Sequence, residues 1–114
     1  MQNLPLLPHH KLHAYTHAVE LLHFVAAAKI RDTTLRDHAL RAAKSVCLNC
    51  AEGAGRVTRS DKARAFTIAR GELVEAVAAV EIAIATGDAN AEVAPRLMQT
   101  AHRLTGMLTA LIGR

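Results

Sequence analysis

Aromatic residues are nearly missing from this sequence: Tyr15, Phe24 and Phe66 are all it has, and there is no Trp. Alternating runs of aromatic and β-branched residues, the mark of a β-sandwich or barrel, are missing too. No apolar run approaches the roughly 20 residues that span a bilayer. The start, Met1 to Pro8, is apolar but short and lacks the cationic n-region of an export signal. The expectation is a cytoplasmic protein with no membrane partner. Two cysteines, Cys47 and Cys50, cannot form a disulfide framework. Ser45 and Ser60 have no base and acid in a triad arrangement, and no pair of Glu-x-x-His motifs offers a di-metal site. These absences predict a protein that is not an enzyme, with no cofactor and no small-molecule substrate.

Ala and Leu dominate instead, and both are strong helix formers. A chain of 114 residues fits one domain, 1–114, with one modest core. Pro5 and Pro8 hold residues 1–8 extended, and a helix can start just after them. On it Leu12, Tyr15, Val19, Leu22 and Ala26 form an inward stripe. Thr33 or Thr34 can cap a second helix, on which Leu35, Ala39, Ala42, Val46, Asn49 and Gly53 repeat. Gly53 and Gly55 end it, because glycine tolerates the left-handed backbone of a helix C-terminus. Thr58 with Asp61 resembles a capping box for a third helix, with Phe66, Arg70, Leu73, Val77, Val80 and Ile84 on its seam. After a turn at Gly87-Asp88-Ala89-Asn90, Pro95 sits near the start of a fourth, striped by Val93, Leu97, Ala101, Leu104, Leu108 and Leu111. Four stripes with short links predict an all-α, up-down-up-down four-helix bundle.

Charge is polarised along the chain. From Arg36 through Arg70 there are eight Lys/Arg against three acids. From Gly71 through Ala94 there are five acids and no Lys or Arg. The basic stretch can meet phosphates, it can meet the acidic stretch of another subunit, or it can simply be solvated surface.

Helix three is too apolar for one face. Beside its seam it carries Ile68, Gly71, Ala78, Ala79 and Ile82, and a helix apolar on two sides has two partners to bury against. The second partner is expected to be another copy of the protein.

Several motifs have a sharp and a bland reading. His9, His13 and His17 are spaced to share a helix face as metal ligands do, but no acid or Cys completes a site, and exposed histidines are the expectation. Cys47-Leu48-Asn49-Cys50 has redox spacing, yet it lies near the end of a helix with no strand before it, so both cysteines read as buried small hydrophobes. Glu52-Gly53-Ala54-Gly55-Arg56 lacks the strand–turn–helix context of a phosphate loop and reads as a helix terminus. Asn49 and Arg70 fall on inward positions, with Glu52 beside Asn49. An inward Arg must be paired, so Arg70 is expected to meet Glu52 or Asn49 in a buried polar layer that fixes register. The sharper alternative there is a ligand site.

Ser45, Asn49, Ala51, Glu52 and Gly53 match a Ser-x-x-x-Asn-x-Ala-Glu-Gly pattern. They resemble the core of the four-helix bundle proteins encoded in intervening sequences of bacterial 23S rRNA genes. Gly55-Arg56, Phe66, Ala69-Arg70-Gly71 and Glu75 are similar to that family's Gly-Arg, Phe, Ala-Arg-Gly-Ser and Glu. Leu12, Tyr15, Ala18 and Leu21 resemble its opening, and together these cover about three-quarters of the chain. The resemblance implies a bundle that assembles into a ring, typically a homopentamer. It also implies kinship with accessory factors of diversity-generating retroelements, which bind nucleic acid and a reverse transcriptase through a basic surface. Departures are visible: His38 stands where Gln is common, one arginine of the pair near Arg41 is missing, and Glu72 replaces the Ser after Arg-Gly. The fourth helix matches weakly.

The leading expectation is a ring-forming bundle associated with RNA or DNA. Its candidate phosphate contacts are Arg36, Arg41, Lys44, Arg56, Arg59, Lys62 and Arg64. Contact would be with the backbone, since few aromatics are available to stack bases. The oligomer interface would use Ile68, Gly71, Glu75, Ala78 and Ile82. The rival is an oligomeric scaffold or protein-interaction module whose basic and acidic stretches pair between subunits.

Overall fold

The computed structural model describes residues 5–114; residues 1–4, the first half of the expected extended segment, lie outside the described residues. Four helices account for most of it: α1 His13–Ala27, α2 Thr33–Gly55, α3 Arg59–Ala85 and α4 Ala94–Ile112. Short 3-10 turns at Pro8–Lys11 and Ala91–Val93 precede α1 and α4. There is no strand among the described residues.

The start and stop signals are partly those expected. Thr58 accepts a hydrogen bond from the Asp61 N–H at 3.2 Å and opens α3. Pro95 occupies the first turn of α4, where its missing N–H costs nothing. The cap of α2 is Asp32 rather than Thr33 or Thr34, its carboxylate accepting from the Leu35 N–H at 2.9 Å. A carboxylate there also meets the positive end of the helix dipole. Nor does α2 close through a left-handed glycine: it leaves through Arg56, whose backbone is extended. Gly53 lies inside the helix, and the glycine that does take a positive φ, +71°, is Gly87 in the α3–α4 turn. Pro8 begins a 3-10 turn instead of continuing an extended segment, so α1 starts later than the prolines suggested.

The core follows the expected stripes on α2, α3 and α4, with two corrections. On α1 the buried residues are Ala14, Ala18, Leu21 and Val25, while Leu12, Tyr15, Val19 and Leu22 are only half-buried and Ala26 is exposed. Two apolar stripes lie side by side on this helix. The one with alanines faces inward, because small side chains let α1 approach α2 and α4 closely. On α3 Phe66, Leu73, Val77 and Val80 are buried as expected, but Arg70 is exposed and Ala69 takes the inward position. The helices pack around this core as neighbours: α2 on α3 most extensively, α3 on α4, α1 on α2 and α1 on α4, with little contact between α1 and α3. Leu21, Leu97, Leu104 and Leu108 are fully buried. Each contributes about 1.5–3 kcal/mol of transfer free energy.

Two features tie the chain together at its ends. At one, a β-carbon on Gly53 would lie 2.5 Å from the Phe66 ring, so α2 and α3 meet closely because Gly53 has no side chain. At the other, Asp88 joins the two loops. Its carboxylate accepts from the Asp32 N–H at 2.8 Å and from Arg31 Nε at 3.3 Å. Ala28 and Asn90 add a backbone hydrogen bond of 2.8 Å between the same loops.

The buried polar layer does not form within the chain. Arg70 Nε donates to Thr109 Oγ1 on α4 at 3.0 Å. Glu52 faces Arg56 one turn on at 3.5 Å. Asn49 turns back on its own helix, its amide donating to the Ser45 carbonyl and hydroxyl at 2.9 and 3.1 Å. Rotating α3 by one residue, from Arg70 to Ala69, removes the buried charge that called for a layer. A buried hydroxyl does pair between helices: Thr100 on α4 donates to Glu20 on α1.

Candidate nucleic-acid interface

The seven cations expected to meet phosphate fall into two groups, one on the outer side of α2 and one around the α2–α3 turn. Arg36, Arg41 and Lys44 are exposed on α2. With a rise of about 1.5 Å per residue, Arg36 lies roughly 30 Å along the helix from Arg56, so the seven do not make one compact patch. Leu48, exposed, continues the Arg41–Lys44 side by one turn.

Around the turn the cations are already engaged to different degrees. Lys62 is half-buried, and its ammonium donates to the Gly53 and Ala54 carbonyls at 3.2 Å each. It satisfies the last turn of α2 and complements the negative end of that helix. Its first role is therefore structural. Arg56 pairs with Glu52, both side chains about half exposed, an arrangement worth little in water. Arg59 donates to the Gly113 carbonyl at 3.2 Å, tying the start of α3 to the end of α4. Arg64 is exposed and lines a groove with Arg56, Ile68 and the carboxylates of Glu52 and Asp61.

Two further cations join this end of the bundle that sequence reasoning did not single out. Lys11 and Arg114, with Arg59 and Lys62, line a cavity of about 500 Å³ whose apolar wall is Leu12, Val57, Phe66 and Leu111. None of the described residues lining it carries a side-chain carboxylate. Lys11 closes the Pro8–Lys11 turn and Arg114 follows α4, about a hundred residues apart, so no local pattern in the sequence connects them.

The residues assigned to an oligomer interface share the second face of α3. Ile68 and Ile82 are exposed, as is Val74 beside them, and Gly71 has open space where a β-carbon would be. Ala78 and Glu75 are half-buried. Glu75 pairs with His38 of α2, a contact that links two positions read separately in the sequence. A groove of about 520 Å³ runs beside that pair, lined by Leu35, Ala78, Ala79 and Ile82 among others. This chain alone leaves the apolar face without cover.

The other candidates resolve simply. Cys47 and Cys50 are free and buried. Burial, reinforced by the neighbouring Cys47, pushes the Cys50 thiol up to about 12. Burial also raises Cys47. Both are poor nucleophiles as they stand. His9 lies in the 3-10 turn, not on α1, stacking on His10 and edge-on to Tyr15. It therefore does not share a helical face with His13 and His17. His17 Nδ1 sits 2.9 Å from the His13 carbonyl, an ordinary intrahelical contact. Among the described residues no three His, Cys, Asp or Glu converge as metal ligands would, and no helix is long and apolar enough to cross a membrane.

Comparison with curated proteins found no match. Residues 10–110, nearly the whole chain from the turn before α1 to the last turn of α4, match the sequence profile described as 23S rRNA-intervening sequence protein. The weakly patterned fourth helix falls inside that match, and the helical architecture agrees with it. The chain belongs to the 23S rRNA-intervening sequence protein family.

Proposed function

We propose that this protein is a non-enzymatic, up-down-up-down bundle that assembles with copies of itself through the second face of α3 and associates with nucleic acid through its exposed cations. The supporting observation is the division of its surface. Ile68, Val74 and Ile82 leave an apolar face on α3 that burial in a second copy would cover. Arg36, Arg41 and Lys44 stand on α2 with no carboxylate within ion-pair distance among the described residues. A ring of five is the assembly that the family resemblance favours. The non-enzymatic reading is supported by two buried thiols and by the lack, among the described residues, of three converging metal ligands. Cytoplasmic residence goes with this reading.

The alternative is a scaffold in which basic and acidic stretches pair between subunits. Its support is that Glu81 and Glu92 are exposed and unpaired with any cation among the described residues.

Reversing Arg41 and Lys44 to Glu separates the two. Phosphate contact predicts weaker oligonucleotide binding, a salt dependence shallower by about two counterions, and an unchanged oligomer mass. Pairing between subunits predicts a smaller mass with no change in oligonucleotide binding, and that outcome would sink the nucleic-acid reading.

A further inference from the structure

The cavity at the α2–α3 turn end differs in kind from the open basic side of α2. Four cations from three separate parts of the chain converge on it: Lys11 before α1, Arg59 and Lys62 in the opening of α3, and Arg114 after α4. Arg59 and Lys62 sit in the first turn of α3, where the helix dipole adds positive potential and Asp61 is the one acid. The carbonyl ends of α2 and α4, which Lys62 and Arg59 meet, subtract from it. Four like charges with no side-chain carboxylate in the lining favour an anion. Lys62 spends two of its three donors on carbonyls and Arg59 one of its five, so both keep donors for a ligand.

The walls limit which anion fits. Val57, 91% exposed, and half-buried Leu12 both line it. Free inorganic phosphate would leave that apolar surface wet. A nucleoside monophosphate would set its phosphate among the cations and its sugar and base against Leu12 and Val57. The cavity, at about 500 Å³, falls in the size range of small-ligand sites. Buried Phe66 is part of the lining.

We infer that this cavity binds a terminal phosphate monoester on a nucleoside, that is, the phosphorylated end of a nucleic-acid strand. The inference rests on the nucleic-acid reading above and gives it a second, end-specific site. A monoester carries up to two negative charges against one for a backbone diester, and charge-assisted hydrogen bonds from Lys and Arg reward the difference.

The test is fluorescence anisotropy with one single-stranded 10-mer carrying a 5′-phosphate, a 3′-phosphate or hydroxyl ends, with AMP as competitor. The proteins are the wild type, Lys11→Gln, whose side chain is exposed, and Val57→Trp, which narrows the mouth. A phosphorylated end should bind about tenfold tighter than the hydroxyl form, a gain of about 1.4 kcal/mol. That gain should vanish in both variants, while Val57→Trp, which alters no charge, leaves hydroxyl-ended binding unchanged. Equal binding of all three oligonucleotides would overturn the inference and leave the nucleic-acid reading standing. AMP binding that Lys11→Gln abolishes, without any oligonucleotide binding, would keep the cavity as a nucleotide site and overturn the reading. If AMP and the oligonucleotides all fail to bind, both fall.

Discussion

The Phe66 ring fills the space that a side chain on Gly53 would need: a β-carbon there would lie 2.5, 2.7 and 2.8 Å from three of its ring carbons. Phe66 is itself buried and cannot swing into solvent without leaving a cavity. Gly53→Ala should therefore destabilise the protein by about 1–3 kcal/mol, despite alanine's better helix propensity. Chemical denaturation checks this. A stabilised Gly53→Ala protein would show that the contact is slack.

Gly71 on the same pair of helices predicts the opposite sign. It lies mid-helix on α3, exposed, and an added β-carbon would touch nothing within 4 Å. Gly71→Ala should raise protomer stability by about 0.5–1 kcal/mol. On the proposed interface, however, the extra methyl holds two copies apart. Thermal melts at low protein concentration should rise by a few degrees, while the assembly dissociates at higher concentration than wild type.

Cys50 makes stability fall at alkaline pH. Its folded-state pKa of about 12 lies above its ordinary value of 9.0, so folding favours the protonated thiol. The contribution is fully present below pH 9 and is lost as pH rises from 9 towards 12. Within that window this one group removes up to about 1.4 kcal/mol per pH unit. Cys50→Ala should show a flatter denaturation profile over the same range. Equal slopes in the two proteins would mean that the thiol titrates normally.

The helices were legible in the sequence because Ala/Leu content, punctuation and a 3.6-residue period agreed over long segments. Which side of each helix faced inward was less legible. On α1 the Tyr15–Leu22 and Ala18–Leu21 sides are adjacent, and apolar periodicity alone prefers the bulkier one. On α3 Ala69 and Arg70 are neighbours, and a single alanine gives no sign that it, rather than the arginine, completes the seam. Asp32 outcompeted Thr33 and Thr34 as a cap because all three are good caps, and only the backbone path decides among them. Arg41 and Lys44 could be read as an exposed basic side from helical spacing. The end cavity could not, since Lys11, Arg59 and Arg114 meet only after all four helices have packed.

Light scattering coupled to size exclusion, with absorbance at 260 and 280 nm and at low then high salt, reads assembly and nucleic-acid association together. The protein should be a discrete homo-oligomer that carries nucleic acid at low salt and sheds it at high salt with the protein mass unchanged, because counterion release makes phosphate contacts salt-sensitive. A monomer at every salt concentration, or an oligomer that never carries nucleic acid and falls apart as salt rises, would contradict the proposed function.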